Sequence, residues 1–297
     1  MRFDGSGARS SLPHDQLNGL FTWRTFCPEV GIGMSVPRPP IRLVDTQGVH
    51  RLVGVADPAV DKTEEVEAYA RTRIDELSQL SAYVFMHNSP SCGSQGVKVY
   101  HNNTSQPTRD GRGIFARAVK QALPNLPTED AGRLFEPVLR ENFVTRAFAY
   151  AHWQSLLPDL NAGGLLEFHS RYKYLLMAHS IEAYEMADVL LSDLSGTIET
   201  VAQRYIGVLL RGLEQVATRK THANVLVHMQ GHLKNTLDGR SREDLTNAIR
   251  AYRLGEQSLL EPLALLKQHL RRSPEEYLLN QIYFRPHPSS AGVHDAP

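Results

Sequence analysis

Ala82-Tyr83-Val84-Phe85-Met86, followed after two residues by Ser89-Pro90-Ser91-Cys92-Gly93, reads as a short apolar strand running into a Pro/Gly turn. Just upstream, Asp61–Leu80 has helical spacing in Val66, Tyr69, Ala70, Ile74 and Leu77, with Asp61 placed to cap and Glu64 to complete a capping box. Earlier still, Phe21-Thr22-Trp23-Arg24-Thr25-Phe26 alternates like a strand and leads into Cys27-Pro28-Glu29. Strand, loop, helix and strand in that order predict a βαβ unit with a small parallel sheet. Both cysteines then sit just beyond strand ends, where open α/β sheets hold their ligands. The competing reading is that each thiol is a small buried hydrophobe, which the flanking Pro, Glu, Ser and Gly argue against.

Downstream, Asp110-Gly111-Arg112-Gly113 opens a further helix, either as a plain flexible turn or as a backbone cradle for an anion. Thr128–Phe148 is predicted helical, starting at a Thr-Glu-Asp cap and carrying Leu134, Val138, Phe143 and Phe148. Pro158 through Gly164 has the composition of a linker. Beyond it, Leu165–Leu191, Thr197–Leu237, Arg242–Leu254 and Leu259–Leu270 all carry apolar residues at helical spacing. The expected architecture is an α/β domain over 1–157, a linker over 158–164, an all-α helical-bundle domain over 165–285 and a disordered tail over 286–297.

Composition narrows the function classes. The 297 residues are 41% hydrophobic, enough for packed cores, with no apolar run long enough to span a bilayer and no signal-like start, so a cytoplasmic protein is expected. Two cysteines build no disulfide framework and leave both thiols available for a metal. Lys plus Arg equals Asp plus Glu at 32 each, and from Leu165 onward 4 Lys and 11 Arg face 15 Asp and Glu. No overall field draws nucleic acid or an anionic membrane to either half.

Across roughly Arg2 to Trp153 the chain resembles the thiouracil desulfidase (TudS-type) family. The matching residues are Arg2-Phe3-Asp4-Gly5, Cys27-Pro28-Glu29-Val30, Pro37-Arg38-Pro39-Pro40-Ile41-Arg42-Leu43, Ser89-Pro90-Ser91-Cys92-Gly93 and Val97-Lys98-Val99-Tyr100. The second half resembles the YbgA-type domain of unknown function over Phe168–Ser180, Ala217–Leu226 and Tyr252-Arg253. The first resemblance implies a 4Fe-4S cluster held by three cysteine thiolates, with one open iron taking sulfur from a thiolated pyrimidine base or nucleotide. Cys27 and Cys92 match two of those ligands. The third, in the family, belongs to a strand and turn ahead of the segment where this sequence starts, so that ligand and the first sheet strand are expected to be missing here. A start assigned too far downstream explains this, and a shortened protein with impaired activity is the alternative.

Desulfuration needs a soft electrophile for sulfur and a proton donor for the heterocycle. Glu29, two residues past a ligand cysteine, is the candidate general acid or base, against the reading of a surface or capping Glu. Ser89, stiffened by Pro90, is a candidate to bond substrate or orient water, and Ser91 a weaker one. Arg38, between two prolines, offers a preorganised guanidinium to a pyrimidine carbonyl or a phosphate, or else pairs with Asp45 or Asp57. Asp4 either contacts substrate or closes its own turn.

In the helical half, Lys220, Asn224, His228 and Lys234 fall on one side of the 217–234 helix, and Val225, Leu226, Met229 and Leu233 on the other with His222. A hydrogen-bonded core histidine is the plain reading of His222. His169, Arg171, Lys173 and His179 crowd another helix, and face-to-face packing would bring them with Arg219, Lys220 and Asn224 into one polar pocket. The leading reading is an iron-sulfur desulfidase acting on thiolated pyrimidines. A noncatalytic ligand-binding or sensing protein working through the helical half is the alternative. Thiolated bases occur in transfer RNA, so a nucleic-acid partner stays open although the charge balance adds nothing to it.

Overall fold

The computed structural model describes residues 17–101 and 106–288. Two compact units divide between Arg140 and Glu141. That division falls inside the helix Pro137–Leu156 rather than at 158–164, where a 3-10 turn, Leu157–Asp159, and the start of the next helix lie.

The first unit carries, in chain order, a short helix α1 (Pro28–Gly31), then β1 (Ile41–Thr46), β2 (Val49–Gly54), α2 (Thr63–Ser78), β3 (Tyr83–Phe85), β4 (Val97–Tyr100), β5 (Thr108–Gly111), α3 (Ile114–Ala122) and β6 (Thr128–Asp130). The main sheet has the order β2-β1-β4-β5 and is mixed: β1 runs parallel to β4, while β2 and β5 pair antiparallel at either side. β3 stands apart in a two-stranded parallel ladder with β6. The expected βαβ unit is therefore corrected. Residues 21–26 form no strand, and the parallel partner of β3 is Thr128–Asp130, which had been read as a helix cap.

Local chemistry explains these elements. Gln47 and Gly48, both with positive φ, make the two-residue turn that matches the twist of the β1–β2 hairpin, and Asp45 Oδ1 accepts the Gly48 N–H at 2.8 Å. The capping box at Asp61 does not form. Asp61 accepts the Thr63 N–H at 2.9 Å and pairs with Arg51 instead. Leu43, Leu52, Val97 and Val99 of the sheet, Val66, Ala70 and Leu77 of α2, and Ile114, Phe115 and Val119 of α3 are almost fully buried. This apolar layer is the base on which the loops after β3 and before β1 rest.

The second unit is helical: the rest of α4 (Pro137–Leu156), then α5 (Ala162–His179), α6 (Ile181–Ser192), α7 (Ile198–Glu214), α8 (Arg219–His232), α9 (Gly239–Leu254), α10 (Leu260–Arg272) and the short α11 (Glu276–Leu279). The long runs read from sequence break where side chains cap backbone amides. Ser180 caps α6, Thr197 caps α7, and Thr218 with Thr221 forms a capping box on α8. One apolar cluster joins the helices through Leu176, Tyr205, Leu209, Val225, Leu226, Met229, Tyr252 and Leu266. The inner face of α8 is the expected one. Within the expected tail, His287 is buried and bonded to Glu141, and residues 289–297 lie outside the described residues. No helix among the described residues is long and apolar enough to cross a membrane.

Candidate functional site

Six of the residues singled out by motif meet around one buried carboxylate. Cys27 is the N-terminal flanking residue of α1, and Pro28 at the first helical position fixes the turn that carries Glu29 inward. Glu29 is 9% exposed and Arg38 7%. Arg38 Nε donates to Glu29 Oε2 at 2.5 Å, so the partner of Arg38 is Glu29 rather than Asp45 or Asp57. Ser91 Oγ, fully buried, donates to Glu29 Oε1. Its other neighbours are Ser89 Oγ at 3.0 Å and Cys92 Sγ at 3.6 Å. Arg38 Nη2 lies 3.9 Å from Cys27 Sγ, and Arg38 Nη1 is buried with no hydrogen-bond partner among the described residues.

The loop that presents Ser89, Ser91 and Cys92 is shaped by backbone bonds. Ser89 Oγ accepts the Cys92 N–H at 3.1 Å, and Ser89 O accepts the Gly93 N–H at 2.8 Å. The amides that open α3 close on the same loop: Gly113 N–H donates to Gly93 O at 2.8 Å, Ile114 N–H to Pro90 O at 3.3 Å and Phe115 N–H to Ser91 O at 2.9 Å. The anion-cradle reading of Asp110-Gly111-Arg112-Gly113 is thereby corrected, because loop carbonyls take those donors. Gly113 is required by contact. A Cβ there would stand 2.5 Å from the Ser91 carbonyl carbon and oxygen.

Electrostatics follow the burial. Desolvation pushes the Cys92 thiol up to about 12, with the Ser91 hydrogen bond opposing and the Glu29 and Cys27 charges adding. Alone, such a thiol is no nucleophile at neutral pH, which turns the chemistry away from a simple cysteine attack. Tyr83, on β3, is an electrostatic neighbour of both thiols, and burial holds its phenol far above the usual value. Sequence reasoning had Tyr83 only as core. Its one signal was its place in the strand entering the cysteine loop. Asp4 lies outside the described residues.

The residues expected to share a helical-domain pocket sort by contact into separate groups. His169 Nε2 meets Asp188 Oδ1 at 2.9 Å and Nδ1 meets Tyr205 Oη at 3.3 Å. Lys173 is the electrostatic neighbour of His169, with its Nζ 5.8 Å from the rings of Tyr174, Tyr184 and Tyr277. Elsewhere His222 Nδ1 meets Tyr283 Oη at 2.8 Å, and Arg219 lies over the Tyr252 ring while donating to the carbonyls of Tyr252 and Gln257. His179 Nδ1 donates to Gln215 O at 2.6 Å. Burial lowers the pKa of all three histidines, that of His222 to about 3 with His179 adding to it. Arg171 and Asn224 are partly buried and Lys220 is exposed. Among the described residues no group of three or more His, Cys, Asp or Glu is arranged to hold a metal ion.

Against this geometry, residues 1–131 match the family model described as 2-thiouracil desulfurase, and residues 173–288 match that of a protein of unknown function, DUF1722. The uncharacterized protein YbgA of Escherichia coli (strain K12) is 34% identical over 127 residues, 42% of this chain and 75% of its own length. The uncharacterized protein YbbK of Bacillus subtilis (strain 168) is 33% identical over 102 residues, 32% of this chain and 66% of its own length. No solved structure matches the chain.

Proposed function

Because the chain belongs to the 2-thiouracil desulfurase family through residues 1–131 and to the YbgA-type DUF1722 family through residues 173–288, we propose that it removes sulfur from a thiolated pyrimidine at the Glu29 site. The observation that carries this reading is the chain Arg38–Glu29–Ser91–Ser89, with Cys27 Sγ beside Arg38 and Cys92 Sγ beside Ser91. Glu29 is the base of the reaction. Ser91 Oγ donates to it, and Ser89 Oγ, next in line, extends a path of short oxygen contacts along which a proton from an attacking water reaches the carboxylate and is later returned to the heterocycle. Arg38 fixes the carboxylate through Nε, and its unpartnered Nη1 is the donor for an oxygen of the pyrimidine ring. A buried donor with no partner costs free energy until a ligand supplies the acceptor.

The donor set fits a sulfur-ligated iron-sulfur group. Two thiols face one network, and each sulfur has a polar group beside it, Arg38 Nη2 as a donor 3.9 Å from Cys27 Sγ and Ser91 Oγ 3.6 Å from Cys92 Sγ. Polar contacts to sulfur tune sulfur-ligated clusters. Cys27 and Cys92 would hold two corners of a 4Fe-4S cluster, and a third thiolate is not among the cysteines of this sequence. When bound, the cluster supplies a soft iron that accepts sulfur.

Anaerobic reconstitution tests the reading. Iron and acid-labile sulfide are measured on the chain and on a version carrying a cysteine-bearing segment ahead of Met1, alongside loss of the thiocarbonyl absorbance of 2-thiouracil and its nucleotide. The reading expects the extended version to hold a cluster and consume substrate, with Cys27→Ser and Cys92→Ser abolishing both. A cluster-loaded protein that leaves every thiolated pyrimidine unchanged would overturn it.

A further inference from the structure

Asp130 is fully buried, lies 36 residues from the loop it touches, and has no part in the proton path. Its carboxylate spends both oxygens on one residue: Oδ1 accepts the Ser94 N–H at 3.1 Å and Oδ2 accepts Ser94 Oγ–H at 2.9 Å. The remaining polar group of Ser94, its carbonyl, accepts from Arg112 Nε at 2.9 Å. Ser94 stands two residues past Cys92 and is itself buried. The other end of the loop is braced from the turn that follows the same strand, because Gly132, two residues past Asp130, packs so closely on the His87 ring that a Cβ would stand 3.0 Å from it. A buried carboxylate carries a desolvation cost that only a complete set of donors offsets, so a charge placed here has a positional use.

We propose that Asp130, with Arg112, is the positioning pair that holds the Cys92 loop against Glu29, the strand pair β3–β6 gripping it at both ends. Asp130 touches neither thiol in this arrangement and acts through Ser94. The proposal rests on the loop serving the desulfurase site, but the pair's hold on Cys92 is a separate physical claim.

The test needs no cluster and no substrate. In the intact, metal-free chain under reducing conditions, Cys27 and Cys92 are alkylated by excess iodoacetamide, and each peptide is followed by mass spectrometry over time. When reclosing is fast, labelling tracks the population of the opened loop, so losing one or two loop hydrogen bonds multiplies the Cys92 rate. Asp130→Asn is expected to raise the Cys92 rate about tenfold while Cys27 stays within about twofold, and Ser94→Ala to raise Cys92 about threefold. Arg112→Gln, which frees the Ser94 carbonyl, is expected to act in the same direction and keeps the claim testable if the Asp130 variant does not fold. Equal acceleration of both cysteines would mean general loosening and overturn the proposal, as would an unchanged Cys92 rate in folded variants. Because desulfuration is not read, failure here leaves the proposed activity to its own test.

Discussion

The buried histidines of the helical unit and the Glu29 network of the α/β unit are built on opposite plans. In the helical unit, His169 ends on Asp188 and Tyr205, His222 on Tyr283 and His179 on the Gln215 carbonyl, so these rings are closed into the packing of the helices. In the α/β unit the network through Glu29 reaches two free thiols and an arginine nitrogen, Arg38 Nη1, with no hydrogen-bond partner among the described residues. Closed polar contacts specify a fold. Open ones, kept at a cost in desolvation, are what chemistry requires.

The largest effect that separates the two plans is expected at Arg38. Arg38→Leu leaves Glu29 buried without its counter-ion and should lower unfolding stability by about 3–5 kcal/mol, most of it regained in the Glu29→Gln/Arg38→Leu double variant. Denaturant melts of the unaltered chain, the two single variants Arg38→Leu and Glu29→Gln, and the double variant measure this. A double variant as unstable as the single would deny that the pair is coupled.

Next in size is the response of the helical unit to acid. The His222 value near 3 lies below its ordinary 6.5, so the unfolded chain takes up the proton first as pH falls. The stability from keeping His222 neutral is therefore complete above pH 6.5 and declines as pH drops from there toward 3, reaching a loss of about 3 kcal/mol at pH 4. Thermal melts between pH 7.5 and 4 should show this slope, and His222→Gln, which keeps a donor for Tyr283, should flatten it.

Glu29→Gln comes third. It keeps the shape of the site and an acceptor for Arg38 but removes the proton-accepting carboxylate, and should cut desulfuration turnover of cluster-loaded protein about 100-fold. An unchanged turnover would move proton transfer to another group. The smallest expected effect is at the cap of α8: Thr218→Ala should cost about 1 kcal/mol of stability and leave desulfuration untouched, as a closed structural contact does.

How far the sequence carried these conclusions depended on the range of the interaction. The buried face of α8 was readable because helical periodicity repeats along one segment, and Cys27, Glu29, Arg38, Ser89, Ser91 and Cys92 lie in short motifs whose chemistry is local. The alternation of Phe21–Phe26 misled, since an extended segment with mostly exposed residues alternates as a strand does. Thr128-Glu129-Asp130 has the composition of a helix start, and only its parallel pairing with Tyr83–Phe85 makes it a strand. The β1–β2 hairpin was missed although Gln47-Gly48 between alternating runs signals it. Asp130 and Arg112 could not be seen as the grip on Ser94, because the contacts form only when segments 36 and 18 residues apart meet.

That the two thiols share one site is open to a direct measurement. Treating the folded, reduced chain with one equivalent of a short bis-electrophile and mapping the product by mass spectrometry should give a single intramolecular bridge between the peptides holding Cys27 and Cys92. A mixture of singly labelled cysteines with no bridge, from protein that remains folded, would contradict a common site around Glu29.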